Sequence, residues 1–390
     1  MSRRRLIALT SVLVLLLLAV YVATPYARAA SLIVRGADLG GRAEAFADRH
    51  AQRVVKPPKH QVPTRHGTVP AQFYRPEGGS SRTILMIPGI HSMGIDEPRL
   101  MKLAEDLAAT GVTVMAMSLP DLQRYRITPN ATDVIEDTVA WMAAQRGLAP
   151  DGLVGMAGIS FSGGLSISAA GRDSIRDKVA FVFSFGGHGD LSRVLKYLAT
   201  GEAMTVAGIH SPPPHDYGVA VILYQLADRG IVPGDQVEAL RQAVETFLLG
   251  SQLTIVNMDQ ANATFARARE MAAALPEPAR TYMGYVNDRA VKRLGPVLMP
   301  FLNQAGVEDP ALSPQRAPIP PAAPVYLLHG DADTVIPASE TILLADHLRQ
   351  QGANVRVLLS GLITHAEVDE SAAAADVWHL VRFWAEILRQ

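Results

Sequence analysis

Short, nearly uninterrupted apolar runs most narrow what this chain can fold into. They fall at residues 82–88 (RTILMIP), 112–119 (VTVMAMSL), 153–159 (LVGMAGI), 179–185 (VAFVFSF), 325–328 (VYLL) and 355–359 (VRVLL). A strand with one wet face alternates polar and apolar residues, whereas a continuous run suits a strand covered on both faces. Between the runs lie stretches of helical periodicity. Residues 99–110 place Leu100, Leu103 and Leu107 on one face and stop at Gly111, residues 133–146 form another, and residues 370–390 carry Val377, Leu380, Val381 and Trp384 at core-facing intervals. This alternation predicts an α/β fold, a mostly parallel sheet with helices on its faces.

Two regions depart from that rhythm. Residues 60–76 (HQVPTRHGTVPAQFYRP) read as an antiparallel hairpin turning at His66-Gly67, preceded by a polar, Arg-rich connector. From 189 to 323 no buried-strand pattern appears, but helical patterns do, at 235–249 and 264–275; the Pro-rich stretch 314–324 (PQRAPIPPAAP) then ends the region. The expected organisation is an N-terminal segment at 1–30, a core at 60–188 and 324–390, and a helical cap inserted at 189–323. The apolar stretches 219–226 and 297–302 of that cap either cover an apolar ligand or cover the cap's own core, the second being the more economical.

Arg3 to Arg5 precede an uncharged run at residues 6–23, long enough to cross a bilayer as a helix with its head inside. That length favours an uncleaved membrane anchor. Ala27-Arg28-Ala29 is an A-x-A pattern of the kind signal peptidase cuts, and Ser2-Arg3-Arg4 weakly resembles a twin-arginine export signal. Both readings place the body outside the cytoplasm, membrane-anchored or exported.

Lys plus Arg total 36 against 37 for Asp plus Glu, and aromatics make up 6%, so no basic surface for nucleic acid is expected. The chain has no cysteine, which removes disulfides, thiolate metal sites and Cys nucleophiles together. It holds no G-x-G-x-x-G, no phosphate-cradling G-x-x-x-x-G-K-[ST] and no H-E-x-x-H. No dissociable cofactor and no metal are expected.

Three segments carry chemistry. In 153–164 (LVGMAGISFSGG) an apolar strand leads into Gly158-Ile159-Ser160-Phe161-Ser162, close to G-x-S-x-G. A strained strand-to-helix turn needs small residues two before and two after a serine to present its hydroxyl, and aims the next backbone N–H at a developing oxyanion. Ser162 stands where glycine is usual and is itself a rival nucleophile; Ser160 fits better, because the strand ends at Ile159.

The second segment, 325–337 (VYLLHGDADTVIP), runs from a strand into an acidic loop in which Asp333 is placed to orient a histidine. Asp331 reads as a turn or cap residue. The D-x-D spacing lacks a further calcium ligand, since Val335 occupies that place. The third, 358–365 (LLSGLITH), presents His365 on a loop after a strand. His365-Ala366-Glu367 mimics the H-x-E of zinc deaminases, but a chain without cysteine cannot supply their remaining ligands.

The order strand–Ser160–helix, strand–Asp333–helix, strand–His365–helix resembles the α/β-hydrolase family over essentially all of residues 60–390, and the H-G-D-A-D-x-V-I-P segment resembles its acid loop. The resemblance implies Ser160 as nucleophile, His365 as base and then acid, and Asp333 as the carboxylate fixing the imidazole. It also implies an oxyanion hole from the backbone N–H of Phe161 with that of Ile90 or His91, in the loop 88–94 (PGIHSMG). Asp190, after the fourth apolar run, is a rival acid, and His188 beside it either touches substrate or serves a turn.

The expected activity is serine hydrolysis of a carboxylic ester through an acyl-enzyme, on a small-molecule or lipid-like substrate. A peptidase or acyltransferase would use the same residues. A membrane-tethered binding or scaffold module without turnover is the alternative from another class.

Overall fold

The computed structural model describes residues 21–204, 206, 212–302, 306–361 and 374–390. The chain enters through helix α1 (residues 21–36), α2 (Arg42–His50) and a short strand β1 (Val54–Val55). The hairpin follows as β2 (His60–Thr64) and β3 (Gly67–Pro76), closed by Arg65-His66, with Thr64 opposite Gly67 and Gly67 at φ 103°. Only glycine adopts that angle without steric cost.

The apolar runs then form a sheet: β4 (Thr83–Ile87), β5 (Thr113–Met117), β6 (Val154–Ile159), β7 (Val179–Phe185), β8 (Val325–Gly330) and β9 (Val355–Ser360). Every residue of β4, β5 and β8 is buried, as their unbroken apolar character requires. The sheet order is β1-β3-β5-β4-β6-β7-β8-β9, with β2 paired to β3. The pairs β4 with β5, β4 with β6, β6 with β7, β7 with β8 and β8 with β9 are parallel, whereas β3 runs against β5. Such parallel pairs need crossovers, supplied by α3 (Pro98–Ala109), α4 (Pro120–Gln123), α5 (Pro129–Ala143), α6 (Phe161–Ala170) and α13 (Ser339–Gln350), with α14 (Ala374–Ile387) closing the chain.

Between β7 and β8 the described residues form helices: α7 (Leu191–Thr200), α8 (Tyr217–Leu226), α9 (Val237–Leu253), α10 (Met258–Ala274), α11 (Ala279–Asn287) and α12 (Val291–Leu302). One apolar cluster joins them to the sheet, running from Leu85, Met156 and Leu165 through Leu195 and Leu223 to Phe247, Met283 and Leu298. The 219–226 stretch is therefore mostly interior, with Val219, Ala220 and Leu223 fully buried. A second cluster covers the other face, where α1, α3 and α14 meet Ile84, Met86 and Phe183.

The N-terminal region departs from expectation. Helix α1 runs from the expected N-terminal segment 1–30 into the polar connector expected before the hairpin, and that connector also holds α2. Ala29 and Leu32 are buried against the body, Ser31 Oγ donates to Ala47 O at 2.8 Å, and Arg35 Nε meets Asp106 at 2.8 Å. The A-x-A triplet 27–29 thus lies inside a packed helix. Most of the apolar run 6–23 lies outside the described residues, among which no helix is long and apolar enough to cross a membrane.

Candidate active site

Parallel pairing places the ends of β4, β6, β7, β8 and β9 at one edge of the sheet, and β4, β6, β7 and β8 lead there into segments singled out above. At the end of β6 the chain turns so sharply into α6 that Ser160 adopts φ 57°, ψ −131°. For a residue with a Cβ this is strained backbone, tolerated where the surroundings over-determine it. The surroundings do so here: the backbone N–H of Ser160 donates to Phe185 O at 2.7 Å, and its carbonyl accepts from Gly163 N at 2.8 Å.

The small residues around the turn have separate reasons. A Cβ on Gly158 would lie 2.5 Å from the Ser162 carbonyl oxygen and 2.6 Å from Ser166 Oγ, and one on Gly164 would lie 2.5 Å from the His188 ring. Ser162 replaces the usual glycine with a structural hydroxyl. Its Oγ accepts from Ile159 N at 2.9 Å and lies 2.8 Å from both Ile87 O and Ile159 O, tying the turn to β4; it is wholly buried. Ser160 instead lines a cavity of about 290 Å³ together with Pro88, Gly89, Ile90 and His91.

Phe161 opens α6, so its N–H has no acceptor within the helix. Gly89 packs against the serine, and Ile90 and His91 follow it around the cavity. Burial lowers the His91 imidazole below its ordinary value, Glu97 opposing this and Arg99 adding to it. Its Nδ1 accepts from Met93 N at 3.2 Å, so the neutral ring carries its proton on Nε2.

Asp333 sits in the loop after β8, 2% exposed. Its Oδ1 accepts from Val335 N at 2.7 Å and Ile336 N at 3.0 Å, while Oδ2 lies 3.3 Å from His329 Nε2. His329 is fixed in turn by Ile336 O at 2.8 Å, which demands a proton on Nε2, and by the Thr341 hydroxyl at 2.7 Å. Burial raises the phenols of Tyr197 and Tyr217, and the nearby charge of Asp333 raises them further.

The rival acid has other work. Asp190 caps α7 through Arg193 N at 3.1 Å and pairs with Arg316 at 2.8 Å. Burial opposes its ionisation, but Arg316 and the cap hold its carboxyl below the usual range. His188 is fully buried, bonded through Nε2 to Leu312 O at 2.7 Å, and burial lowers its imidazole. His365 lies outside the described residues.

Sequence reasoning missed several neighbours of the site. Tyr217, at the start of α8, and Arg99 line the Ser160 cavity and also a second cavity of about 420 Å³ bounded by Tyr125, Gln252 and Thr334. Ile90 and His91 lie on both, so the loop after β4 separates a chamber beneath the insertion from one facing α1 and α3. Among the described residues no cluster of His, Asp and Glu has the form of a metal site.

No family model and no curated protein matches the chain. Among solved structures it is similar to a hyperthermophilic esterase from the archaeon Pyrobaculum calidifontis, at 15% identity over 93% of this chain and 90% of that one, TM-score 0.44. Vibralactone cyclase matches at 13% identity over 88% and 83%, TM-score 0.45. An acylaminoacyl peptidase from Pyrococcus horikoshii matches at 11% over 90% of this chain and 43% of that one, TM-score 0.43. The chain's own strand order, with the antiparallel hairpin at one end, parallel strands from β5 to β9, a strained serine turn after β6 and helices between β7 and β8, gives it the α/β-hydrolase fold.

Proposed function

We propose that the protein is a serine hydrolase that cleaves carboxylic esters by acyl transfer, with Ser160 as nucleophile. The observation that carries this reading is the strained φ of Ser160, at the head of α6 and on the wall of a cavity. Strain held at a reactive side chain is a hallmark of function rather than of packing.

In the proposed reaction Ser160 Oγ attacks the ester carbonyl and its proton passes to His365. The oxyanion is held by the N–H groups of Phe161 and of Ile90 or His91. Collapse of the tetrahedral adduct expels the alcohol, which takes the proton from His365; water, activated by the same imidazole, then releases the acid. Asp333 orients that imidazole, with one oxygen already held by two backbone N–H groups.

Chain geometry supports the part given to His365. It lies five residues beyond Ser360, where β9 ends, a reach of roughly 17 Å. From β9 to β6 is three strand spacings, roughly 14 Å. Labelling with a fluorophosphonate tests the reading: modification should vanish in Ser160→Ala and persist in Ser162→Ala. Equal labelling of both variants, or none of the parent protein, would refute it.

A further inference from the structure

The Ser160 cavity has a wall that no motif indicated, the N-terminal helix α1. Leu32, Ile33 and Gly36 line it, facing the same space as Leu100, Leu103 and Trp384 of α3 and α14. The spacing Ala29, Leu32, Ile33, Gly36 puts one stripe of the helix on this side. Ala29, Leu32 and Ile33 are buried, whereas Gly36 is exposed and a Cβ built on it meets nothing within 4 Å.

This wall is held in place. Arg35 pairs with the nearly buried Asp106, Lys102 Nζ reaches both Asp106 at 2.9 Å and the Arg35 carbonyl at 2.5 Å, and Tyr26 stacks on Trp378 with centroids 5.7 Å apart. The charged groups bordering the cavity are engaged with each other: Asp106 with Arg35 and Lys102, and Glu97 with Arg99 at 2.7 Å. What remains facing the space is chiefly hydrocarbon, at a volume near the lower end of roughly 300–1,000 Å³ for small-molecule sites.

We propose that this cavity receives the hydrocarbon tail of the substrate ester and that α1 sets the tail length, with Gly36 leaving the far end open. The proposal rests on the reading of Ser160 as an acyl-transfer nucleophile. Tail and α1 would meet through Leu32 and Ile33, so filling the space at Gly36 shortens the tail that fits. The tail belongs either to the acid or to the alcohol of the ester, a matter of chemistry that two substrate series separate.

The test measures kcat/KM for p-nitrophenyl acetate, butyrate, octanoate and decanoate, and for ethyl against octyl acetate, in the parent protein and in Gly36→Trp, Gly36→Ala and Ile33→Ala. Gly36→Trp should lower the octanoate-to-acetate ratio roughly tenfold or more, Gly36→Ala should leave that ratio near the parent value, and Ile33→Ala should favour decanoate. A drop confined to the octyl-to-ethyl ratio would assign the cavity to the alcohol. Unchanged ratios in both series overturn the proposal. Binding of dansyl-undecanoic acid, followed by fluorescence, is independent of turnover: it should survive Ser160→Ala and weaken roughly tenfold in Gly36→Trp. If no ester is cleaved yet this pattern holds, the catalytic reading falls and the tail site stands. If the probe binds Gly36→Trp as tightly as the parent protein, or binds neither, the tail site falls.

Discussion

Gly89 lies directly against Ser160: a Cβ on Gly89 would come within 3.1 Å of the Ser160 Cβ and 3.2 Å of the Ile159 carbonyl oxygen. The loop after β4 is thus seated on the turn after β6, and the two cannot separate slightly without changing the space between Oγ and the N–H groups of Ile90 and His91. Gly89→Ala should therefore lower kcat for p-nitrophenyl butyrate by roughly 100-fold, the scale of a misplaced catalytic group, while shifting Tm only modestly. A large loss of Tm with kcat intact would contradict this.

Ser160 stores strain that glycine would not. Ser160→Gly removes the Cβ from a positive-φ position and should stabilise the protein by about 1 kcal/mol while abolishing fluorophosphonate labelling. A urea titration of both proteins decides it, and a lower midpoint for the glycine variant would argue against strain at this turn.

Ser162 differs from Ser160 in kind. Replacing it by alanine removes a wholly buried hydroxyl and strips the part-buried Ile159 N–H of its acceptor, which should cost about 1–3 kcal/mol. The urea midpoint should fall accordingly, by an amount that Ser160→Ala does not reproduce.

Asp106 anchors α1 from α3, with its side chain 5% exposed and bonds to Arg35 and Lys102. Asp106→Ala leaves the half-buried Arg35 without its charge partner, and should cost about 1.5–3 kcal/mol. Amide hydrogen exchange should rise first in residues 21–36. Uniform acceleration across the molecule would show that α1 unfolds only with the rest.

Asp216 gives the fold an acid-labile tie. Burial works against its charge, but His215 and Arg289 hold the carboxyl at about 2, against 3.8 for an unperturbed group. The folded state therefore binds this proton less readily than the unfolded one. Its contribution is complete above about pH 4 and disappears as pH falls toward 2. Asp216→Asn should lower Tm at pH 7, and the gap to the parent protein should close between pH 4 and pH 2. A gap independent of pH would exclude this linkage.

Much of this architecture could be read from spacing. The run 179–185 became β7 residue for residue, and the residues after 99 became α3, because an unbroken apolar run and a 3.6-residue period each have one economical packing solution. The serine turn was legible from Gly158 and the end of the strand, although only packing reveals why Ser162 is tolerated. Helix α1 was not legible as part of the body. Its stripe of Ala29, Leu32 and Ile33 merges with the apolar run before it, and its partners Asp106, Trp378 and Trp384 lie far along the chain. Tyr217 and Arg99 escaped notice for a related reason: neither carries a motif, and each reaches the site through the placement of α8 and α3.

The apolar interior that runs unbroken from the sheet into the helices after β7 also limits how a ligand can come and go. Moving those helices away as one body would leave Phe247, Met283 and Leu298 packed within the insertion, but would wet the part of the cluster that it shares with the sheet, where Leu85, Met156 and Leu165 lie. Local give in the loops and at the end of α1 wets less of that interior, so turnover should respond more to residues at that rim than to any hinge at the roots of the insertion.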